Sequence, residues 1–169
     1  LYAGKLSRAK GVLNLLDAAQ LVSHDMPDFR LHIAGSGEGE EADEIMQRIA
    51  AQKSHVIYHG HVNASALASL MNSVELFVLP SFYEGLPLVL VEAIASGCRV
   101  VATDLPGIRG ALYARLKSRM RLVDMPAMRS VDQPEPDALG KFTHDLAGTL
   151  IVSLKDGSNE RSDEDLEDF

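Results

Sequence analysis

Two glutamates on either side of a predicted helix start are the residues of this sequence best suited to chemistry. Glu84 lies in a loop after the apolar run Leu76–Leu79, and Glu92 lies inside the apolar segment that follows, which Pro87 is well suited to begin. Both carboxylates can therefore face the crevice into which the N–H groups of the helix point. Carboxylates accept hydrogen bonds from sugar hydroxyls and helix N-termini favour phosphate, so the pattern suits a sugar linked to a diphosphate. The alternative is two surface carboxylates that are solvated or paired.

Three cations cluster in an earlier loop, which follows the apolar run at residues 1–3. Lys5, Arg8 and Lys10 lie within Gly4–Gly11, and that loop contains no acid. The composition suits a phosphate, because each charge-assisted hydrogen bond to a phosphate oxygen is worth about 1.5–3 kcal/mol. Taken alone, however, the loop is better explained by solvated surface cations.

Two further loops resemble known ligand sites but fail on spacing or on the number of ligands. Gly35 and Gly37 follow an apolar run as in a dinucleotide-binding loop, yet Glu40 stands in the place of the third glycine. A flexible turn is the simpler interpretation. His59 and His61 flank a glycine, but a metal site needs at least three ligands and nothing nearby completes a set. We therefore predict no metal, and His61 remains a candidate for contact with a ligand.

These loops connect apolar runs of strand length to segments with a helical pattern. Such runs and segments alternate regularly along the chain, which is typical of an α/β fold with a Rossmann-like parallel sheet and helices on both faces. The predicted strands are Leu1–Ala3, Arg30–Ala34, His55–His59, Leu76–Leu79, Arg99–Thr103 and Met120–Val123. The predicted helices are Gly11–Ser23, Glu40–Lys53, Ala64–Ser73, Pro87–Ser96 and Asp137–Leu154. The continuous apolar runs at Leu76–Leu79 and Val100–Ala102 are expected at the sheet centre, where strands are buried on both faces. In such sheets ligands bind at the carboxyl ends of the strands, where all four loops lie.

Composition favours one cytoplasmic domain at residues 1–155, followed by an acidic tail. Of the net charge of −8, residues 156–169 contribute −6, so we expect a solvated, disordered tail there. No stretch approaches the roughly 20 apolar residues needed to cross a bilayer. The single cysteine, Cys98, fits a reducing compartment.

The segment from 99 to 129 has seven basic side chains and only two acids, Asp104 and Asp124. It is expected to be a solvated surface, or to face another domain or the anionic inner surface of a membrane. Nucleic acid is not an expected partner, because Tyr113 is the only aromatic residue of this segment and several are typically needed to stack on bases.

In their order and spacing, these motifs resemble the C-terminal half of the family-four, or group 1, retaining glycosyltransferases. The resemblance covers about the first 110 residues and includes the seven residues that separate Glu84 from Glu92. The matching segments are Gly4–Leu6, Lys10–Gly11, Leu31–Gly37, Gly60–Val62, Pro80–Ser81, Glu84–Pro87, Glu92–Ala93, Gly97 and Val100–Thr103. That family has the two-domain GT-B fold, so the resemblance implies a single GT-B half-domain without the acceptor domain that would precede it.

The resemblance implies a chemistry and a role for each matching residue. A nucleoside-diphosphate sugar is the donor, and its sugar passes to an acceptor hydroxyl with retained configuration and without a metal or other cofactor, in polysaccharide or glycolipid synthesis. Lys5 and Lys10 hold and stabilise the departing diphosphate, and Glu84 binds hydroxyls of the transferred sugar. Glu92 binds the ribose. The other donor-binding residues that it implies are Gly4, His61, Val62, Gly85, Leu86, Pro87 and Leu88.

The resemblance also implies two partners, the nucleotide sugar and the N-terminal half of the same enzyme, so this chain alone is expected to be inactive. Two other functions stay open: a non-catalytic nucleotide-binding module, and half of a GT-B sugar-nucleotide epimerase. About 150–200 further upstream residues that form a second α/β domain would favour the transferase. The chain departs from the family pattern at Lys5, where arginine is commoner, and at Arg109–Gly110, where an acid is often found.

Overall fold

Six parallel strands form the centre of the fold in a computed structural model of the chain. The structure describes residues 1–113, 116, 118–130 and 133–156. The strands are β1 (Tyr2–Ala3), β2 (Leu31–Ala34), β3 (Val56–Gly60), β4 (Leu76–Leu79), β5 (Arg99–Thr103), β6 (Met120–Val123), β7 (Met128–Ser130) and β8 (Gln133–Pro134). The helices are α1 (Val12–Asp25), α2 (Glu40–Ala51), α3 (Ala64–Ser73), α4 (Leu88–Ala95), α5 (Pro106–Ile108) and α6 (Pro136–Lys155).

The parallel strands form two groups of three that meet between β1 and β4. In one group β2 lies between β1 and β3, and in the other β5 lies between β4 and β6. Two backbone hydrogen bonds link the groups: the Leu1 amino group donates to the Leu76 carbonyl (2.8 Å), and the Val78 N–H donates to the Leu1 carbonyl (2.8 Å). The spatial order is therefore 3-2-1-4-5-6. It reverses between β1 and β4, the point at which open α/β sheets bind ligands.

Alternate strand residues face two separate hydrophobic cores. Tyr2 and Val78 belong to the core on the side of α1, α2 and α6. Ala3 and Phe77 belong to the core on the side of α3 and α4. Because both faces are covered, every residue of β4 is buried. The predictions of an α/β fold and of central strands at the two continuous apolar runs are therefore confirmed.

The main differences from the predicted elements lie around α4 and between β5 and α6. Pro87 was predicted to begin a helix, but its ψ of 101° is extended and α4 begins one residue later, at Leu88. Between β5 and α6 the chain forms α5, a π-helical turn at Arg109–Tyr113 and the antiparallel pair β7–β8, none of which was predicted. The last helix ends at Lys155. The predicted acidic tail comprises residues 156–169. All of these residues except Asp156 lie outside the part of the chain that the structure describes.

Candidate functional site

The loops that follow β1 and β4 lie against each other where the strand order reverses. The Phe82 N–H donates to the Ala9 carbonyl (2.9 Å), which joins the two loops through their backbones. Gly11 has a φ of 68°, and a Cβ at this position would lie 2.0 Å from the Pro80 carbonyl oxygen. Only glycine permits so close an approach in this conformation. The fold thus brings the cationic loop beside the loop that carries Glu84.

This contact pairs Lys10 with Glu84. Lys10 Nζ lies 2.7 Å from Glu84 Oε1, and the side chains are 31% and 13% exposed. This charge-assisted hydrogen bond leaves both groups able to form further hydrogen bonds, because an ammonium has three N–H donors and a carboxylate has about four lone-pair sites. Both residues can therefore contact a ligand while they remain bound to each other.

The other two cations of the first loop differ from each other in their surroundings. The Arg8 N–H donates to a Glu41 carboxylate oxygen (2.7 Å), and the Arg8 guanidinium pairs with Glu44, both on α2. Lys5 is exposed and has no ion pair within the described part of the chain. The loop contains no acid, as its sequence shows, but the fold brings acids from distant elements to Arg8 and Lys10.

A cavity of about 630 Å³ opens beside Lys5 at the carboxyl edge of the sheet. The side chains that line it include Lys5, Glu38, His61, Val62, Val89 and Glu92. Glu92 is exposed and, like Lys5, has no ion pair among residues that the structure describes. A cation and an anion that are both free to bind therefore face the same space, next to an apolar wall.

The two glutamates that were expected to face one crevice have different surroundings. Glu92 lines the cavity, whereas Glu84 is not among its lining residues and is bound to Lys10. Leu86 and Leu88 are exposed at the start of α4, whose first N–H groups have no partner within the helix. Gly85 is also exposed. Backbone donors are thus available beside both carboxylates.

The loop after β5 supports the loop that carries Glu84. A Cβ on Gly107 would lie 2.1 Å from the Gly85 carbonyl oxygen, so the two backbones are in direct contact. An ion pair between Asp104 and Arg109 joins the residues on either side of Gly107. Nothing in the spacing of the sequence pointed to Gly107, because the contact depends on how two loops from neighbouring strands pack.

The glycine-containing loop after β2 backs the first loop. The Gly4 N–H donates to the Ala34 carbonyl (3.0 Å) and the Leu6 N–H donates to the Ser36 carbonyl (3.0 Å). On its other side, the Gly35 N–H donates to the Gly60 carbonyl (2.7 Å). The sequence suggested a flexible turn at this position. In the structure, these bonds hold the segment between two neighbouring loops.

The two histidines around Gly60 have separate environments. His59 stacks on His32 of β2, with 2.9 Å between His32 Nδ1 and His59 Nε2, whereas His61 lines the cavity. Burial lowers the pKa of His32, and the positive charges of the amino terminus and of His59 lower it further. In the described ranges, no three His, Cys, Asp or Glu side chains are grouped so that they could hold a metal ion.

The basic segment at 99–129 has acidic partners. Arg99 pairs with Glu75 (3.3 Å), and Arg121 pairs with Asp156 at the end of α6. Its positive charge is therefore partly neutralised within the domain. Within the part of the chain described by the structure, no helix combines the length and the apolar character needed to cross a bilayer.

Residues 1–120, which contain all of these loops, match the family described as Glycosyl transferases group 1. The chain is 35% identical over 117 residues to D-inositol 3-phosphate glycosyltransferase of Arthrobacter sp. (strain FB24), which covers 67% of this chain and 28% of the relative. It is 34% identical over 122 residues to phosphatidyl-myo-inositol mannosyltransferase of Mycobacterium tuberculosis (strain ATCC 25618 / H37Rv), covering 72% of this chain and 32% of the relative.

The fold has solved counterparts. The crystal structure of the pneumococcal O-GlcNAc transferase GtfA in complex with UDP and GlcNAc matches with a TM-score of 0.68 and 20% identity, over 95% of this chain and 29% of that one. The chain spans less than a third of the length of the two curated relatives. The family match includes the loops of Lys5, Lys10, Glu84 and Glu92. The chain therefore belongs to the group 1 glycosyltransferases, and its fold is that of a GT-B domain.

Proposed function

We propose that this chain binds the nucleoside-diphosphate sugar that serves as donor in a retaining glycosyl transfer. One observation carries the proposal: the unpaired Lys5 and Glu92 line one cavity at the reversal of strand order, and the loop of Lys5 also carries Lys10, which pairs with Glu84. Ammonium groups suit the oxygens of a diphosphate, and carboxylates suit the hydroxyls of two sugar rings. The donor has all of these groups in one molecule.

In this assignment the lysines act on the leaving group. As the bond between the anomeric carbon and the diphosphate oxygen breaks, negative charge builds on the diphosphate. Lys5, Lys10 and the free N–H groups at the start of α4 stabilise that charge, because they are already oriented before the reaction begins. Since the lysines supply positive charge at this point, we propose that the transfer needs no bound metal or other cofactor.

The carboxylates and the apolar wall recognise the two ends of the donor. Glu84 is assigned to hydroxyls of the transferred sugar, and its bond to Lys10 places sugar recognition next to phosphate recognition. Glu92 is assigned to the ribose hydroxyls. His61 and Val62, which line the same cavity, border the base. The backbone N–H groups of Gly85, Leu86 and Leu88 are assigned to the sugar or the phosphates, and Gly4 and Pro87 complete the donor site next to them.

A further domain supplies the acceptor in this proposal. The chain spans less than a third of the relatives that it matches, one of which is named phosphatidyl-myo-inositol mannosyltransferase. We therefore propose a glycolipid or polysaccharide acceptor that is held by an N-terminal half, in the cytoplasm. Positioning of two reactants can supply about 7–11 kcal/mol of the barrier, so we expect this chain alone to give no useful transfer. A glycosylated acceptor that accumulates with this chain alone, detected by mass spectrometry, would contradict that expectation.

Calorimetric titration with UDP, GDP and ADP, and with uridine, guanosine and adenosine, tests the proposal. At least one diphosphate should bind. Lys5→Met should weaken binding of that diphosphate about tenfold or more, which is the value of one charge-assisted contact. It should leave nucleoside binding unchanged.

Arg8→Met is the matched control for this test. Arg8 lies in the same loop and has the same charge, but its carboxylate partners are on α2, so its removal should change the affinity by less than about twofold. The proposal fails if none of the three diphosphates binds. It also fails if Lys5→Met weakens nucleosides as much as diphosphates.

A further inference from the structure

Tyr2 carries a hydroxyl group into the core directly below the first loop. The residue is 0% exposed and belongs to the core on the side of α1, α2 and α6. A buried hydroxyl is costly unless it forms a hydrogen bond, and a phenylalanine would fill the same space without that cost. The presence of the hydroxyl must therefore be explained by the bond that it makes. It donates to the Lys5 carbonyl over 2.7 Å.

This bond completes the support of the peptide unit between Lys5 and Leu6. On one side of the unit, the Tyr2 hydroxyl holds the Lys5 carbonyl, and on the other the Leu6 N–H donates to the Ser36 carbonyl (3.0 Å). Because a peptide unit is planar, two bonds at opposite ends fix its orientation. The orientation in turn determines the direction in which the Lys5 side chain leaves the backbone.

The hydroxyl also lies against the neighbouring parts of the site. A Cβ on Gly4 would lie 3.0 Å from the Tyr2 hydroxyl oxygen, so the ring restricts the residue that precedes Lys5. Burial raises the pKa of Tyr2 well above its usual range, and the charge of the Glu84 carboxylate raises it further. Both effects favour the protonated form of Tyr2, which is the form that donates to the Lys5 carbonyl.

We propose that Tyr2 is a positioning residue: its buried hydroxyl fixes the peptide that carries Lys5 and so determines where the Lys5 ammonium group lies in the cavity. Tyr2 touches no substrate in this arrangement and acts only through Lys5. The inference rests on the proposed function for the identity of the ligand of Lys5. The order of the loop itself can be measured without any ligand.

Tyr2→Phe tests the inference, because it removes the hydroxyl and keeps the ring in the core. Tyr58→Phe is the matched control, since the Tyr58 hydroxyl donates to the Gly35 carbonyl (3.0 Å) in a loop that lines the same cavity but carries no cation. Both substitutions remove one hydroxyl that is bound to a loop carbonyl. They differ in whether that carbonyl belongs to Lys5.

The first measurement is hydrogen exchange of backbone amides in the free protein, followed by NMR. Tyr2→Phe should speed exchange of the Leu6 amide about three- to tenfold, as expected for local opening after loss of one hydrogen bond, and Tyr58→Phe should not. An unchanged Leu6 rate in Tyr2→Phe would overturn the inference. An equal rise at amides throughout the sheet would also overturn it, because that pattern reports a general loss of stability.

The second measurement is the affinity for whichever of UDP, GDP and ADP binds most tightly. Tyr2→Phe should weaken it about three- to tenfold in the wild-type background and should have no further effect in a Lys5→Met background. Equal weakening in both backgrounds would show that the hydroxyl does not act through Lys5. If none of the diphosphates binds the wild-type chain, the proposed function fails, and the exchange measurement decides the role of Tyr2 by itself.

Discussion

Two lysine–glutamate couples at the candidate site, Lys10 with Glu84 and Lys5 with Glu92, differ in their surroundings. Lys10 and Glu84 form a partly buried ion pair, with 2.7 Å between Nζ and Oε1. Lys5 and Glu92 are exposed, line one open cavity and have no ion pair within the described ranges. The first couple is assembled in the free domain, and the second is available to a ligand.

The difference follows from the elements that carry each side chain. The loop of Glu84 is joined to the loop of Lys10 through the bond between the Phe82 N–H and the Ala9 carbonyl, so their side chains meet. Glu92 lies on α4, which packs on the opposite face of the sheet from α1. The paired couple should therefore contribute to the stability of the free domain. The open couple should contribute only once a ligand is bound.

The largest expected effect is on stability when the pair is broken. Lys10→Met leaves the Glu84 carboxylate, which is only 13% exposed, without its partner, so the free energy of unfolding should fall by about 1–3 kcal/mol. Lys5→Met, with the same change at an exposed position, should alter it by less than about 0.5 kcal/mol. Urea denaturation measures both. Equal stability of the two variants would show that the couples do not differ in the way described.

A second test disturbs the loop of Glu84 without changing its charge. Gly107→Ala places a Cβ 2.1 Å from the Gly85 carbonyl oxygen, so the loop must move, and we expect a loss of about 1–3 kcal/mol in the free energy of unfolding. Gly110→Ala is the control, because a Cβ there meets nothing within 4 Å. Thermal unfolding of both variants measures the loss. If Gly107→Ala is as stable as Gly110→Ala, the support of this loop by its neighbour is wrong.

A third test distinguishes the two glutamates by what they bind. Glu92→Gln should weaken a bare nucleoside diphosphate and its sugar conjugate equally, by about 1 kcal/mol, the difference between a charged and a neutral acceptor. Glu84→Gln should weaken only the sugar conjugate. Titration of each variant with both ligands measures this. If Glu84→Gln weakens binding of the bare diphosphate as much as binding of the sugar conjugate, the assignment of Glu84 to the sugar is wrong.

The smallest expected effect is on the pH dependence of stability and concerns two histidines. His32 stacks on His59, whereas His61 lines the open cavity. Because burial lowers the pKa of His32 below the ordinary value of 6.5, the folded state binds fewer protons than the unfolded state. The stabilisation is complete above pH 6.5 and is lost as the pH falls through the folded pKa. The free energy of unfolding should therefore decrease on acidification, and His32→Leu should make that decrease smaller.

His61→Gln is the control for the pH test, because it removes a histidine that lines the open cavity instead of the one that stacks within the sheet. Denaturation at pH 7, 6 and 5 gives the slopes. The Leu1 amino group contributes a slope of the same sign, since burial lowers its pKa from 8.0 to about 5, so variants must be compared with one another. If the free energy of unfolding of His32→Leu depends on pH as steeply as that of the wild-type chain, the expectation is contradicted.

The elements of the fold were largely predictable, because an apolar run or a helical period reports burial within a few neighbouring residues. All six parallel strands lie within two residues of their predicted bounds. Prediction failed on both sides of β6, between β5 and α6, where three prolines and mixed apolar and basic residues leave no clean period. The antiparallel pair β7–β8 in this region is local in sequence, but no alternating pattern of apolar residues predicted it.

The charged residues of the site were also visible in the sequence, but their partners were not. Arg8 meets an acid 33 positions away, and Lys10 meets one 74 positions away. Glu41 and Glu84 cannot be recognised as those partners from local spacing, because the pairing depends on which loops the sheet brings together. The same reason explains why Gly107 was missed.

By itself, the sequence determined the alternation of strands and helices and the order of the loops at one edge of the sheet. It also determined that two lysines and Glu84 lie in those loops and that Glu92 lies in the helix that follows. Only the tertiary structure decided that Lys10 and Glu84 are paired, that Lys5 and Glu92 are open, and that the Tyr2 hydroxyl supports Lys5. Local patterns reflect burial along one segment. Pairing and support depend on distances between segments, which arise only when the strands assemble in the order 3-2-1-4-5-6.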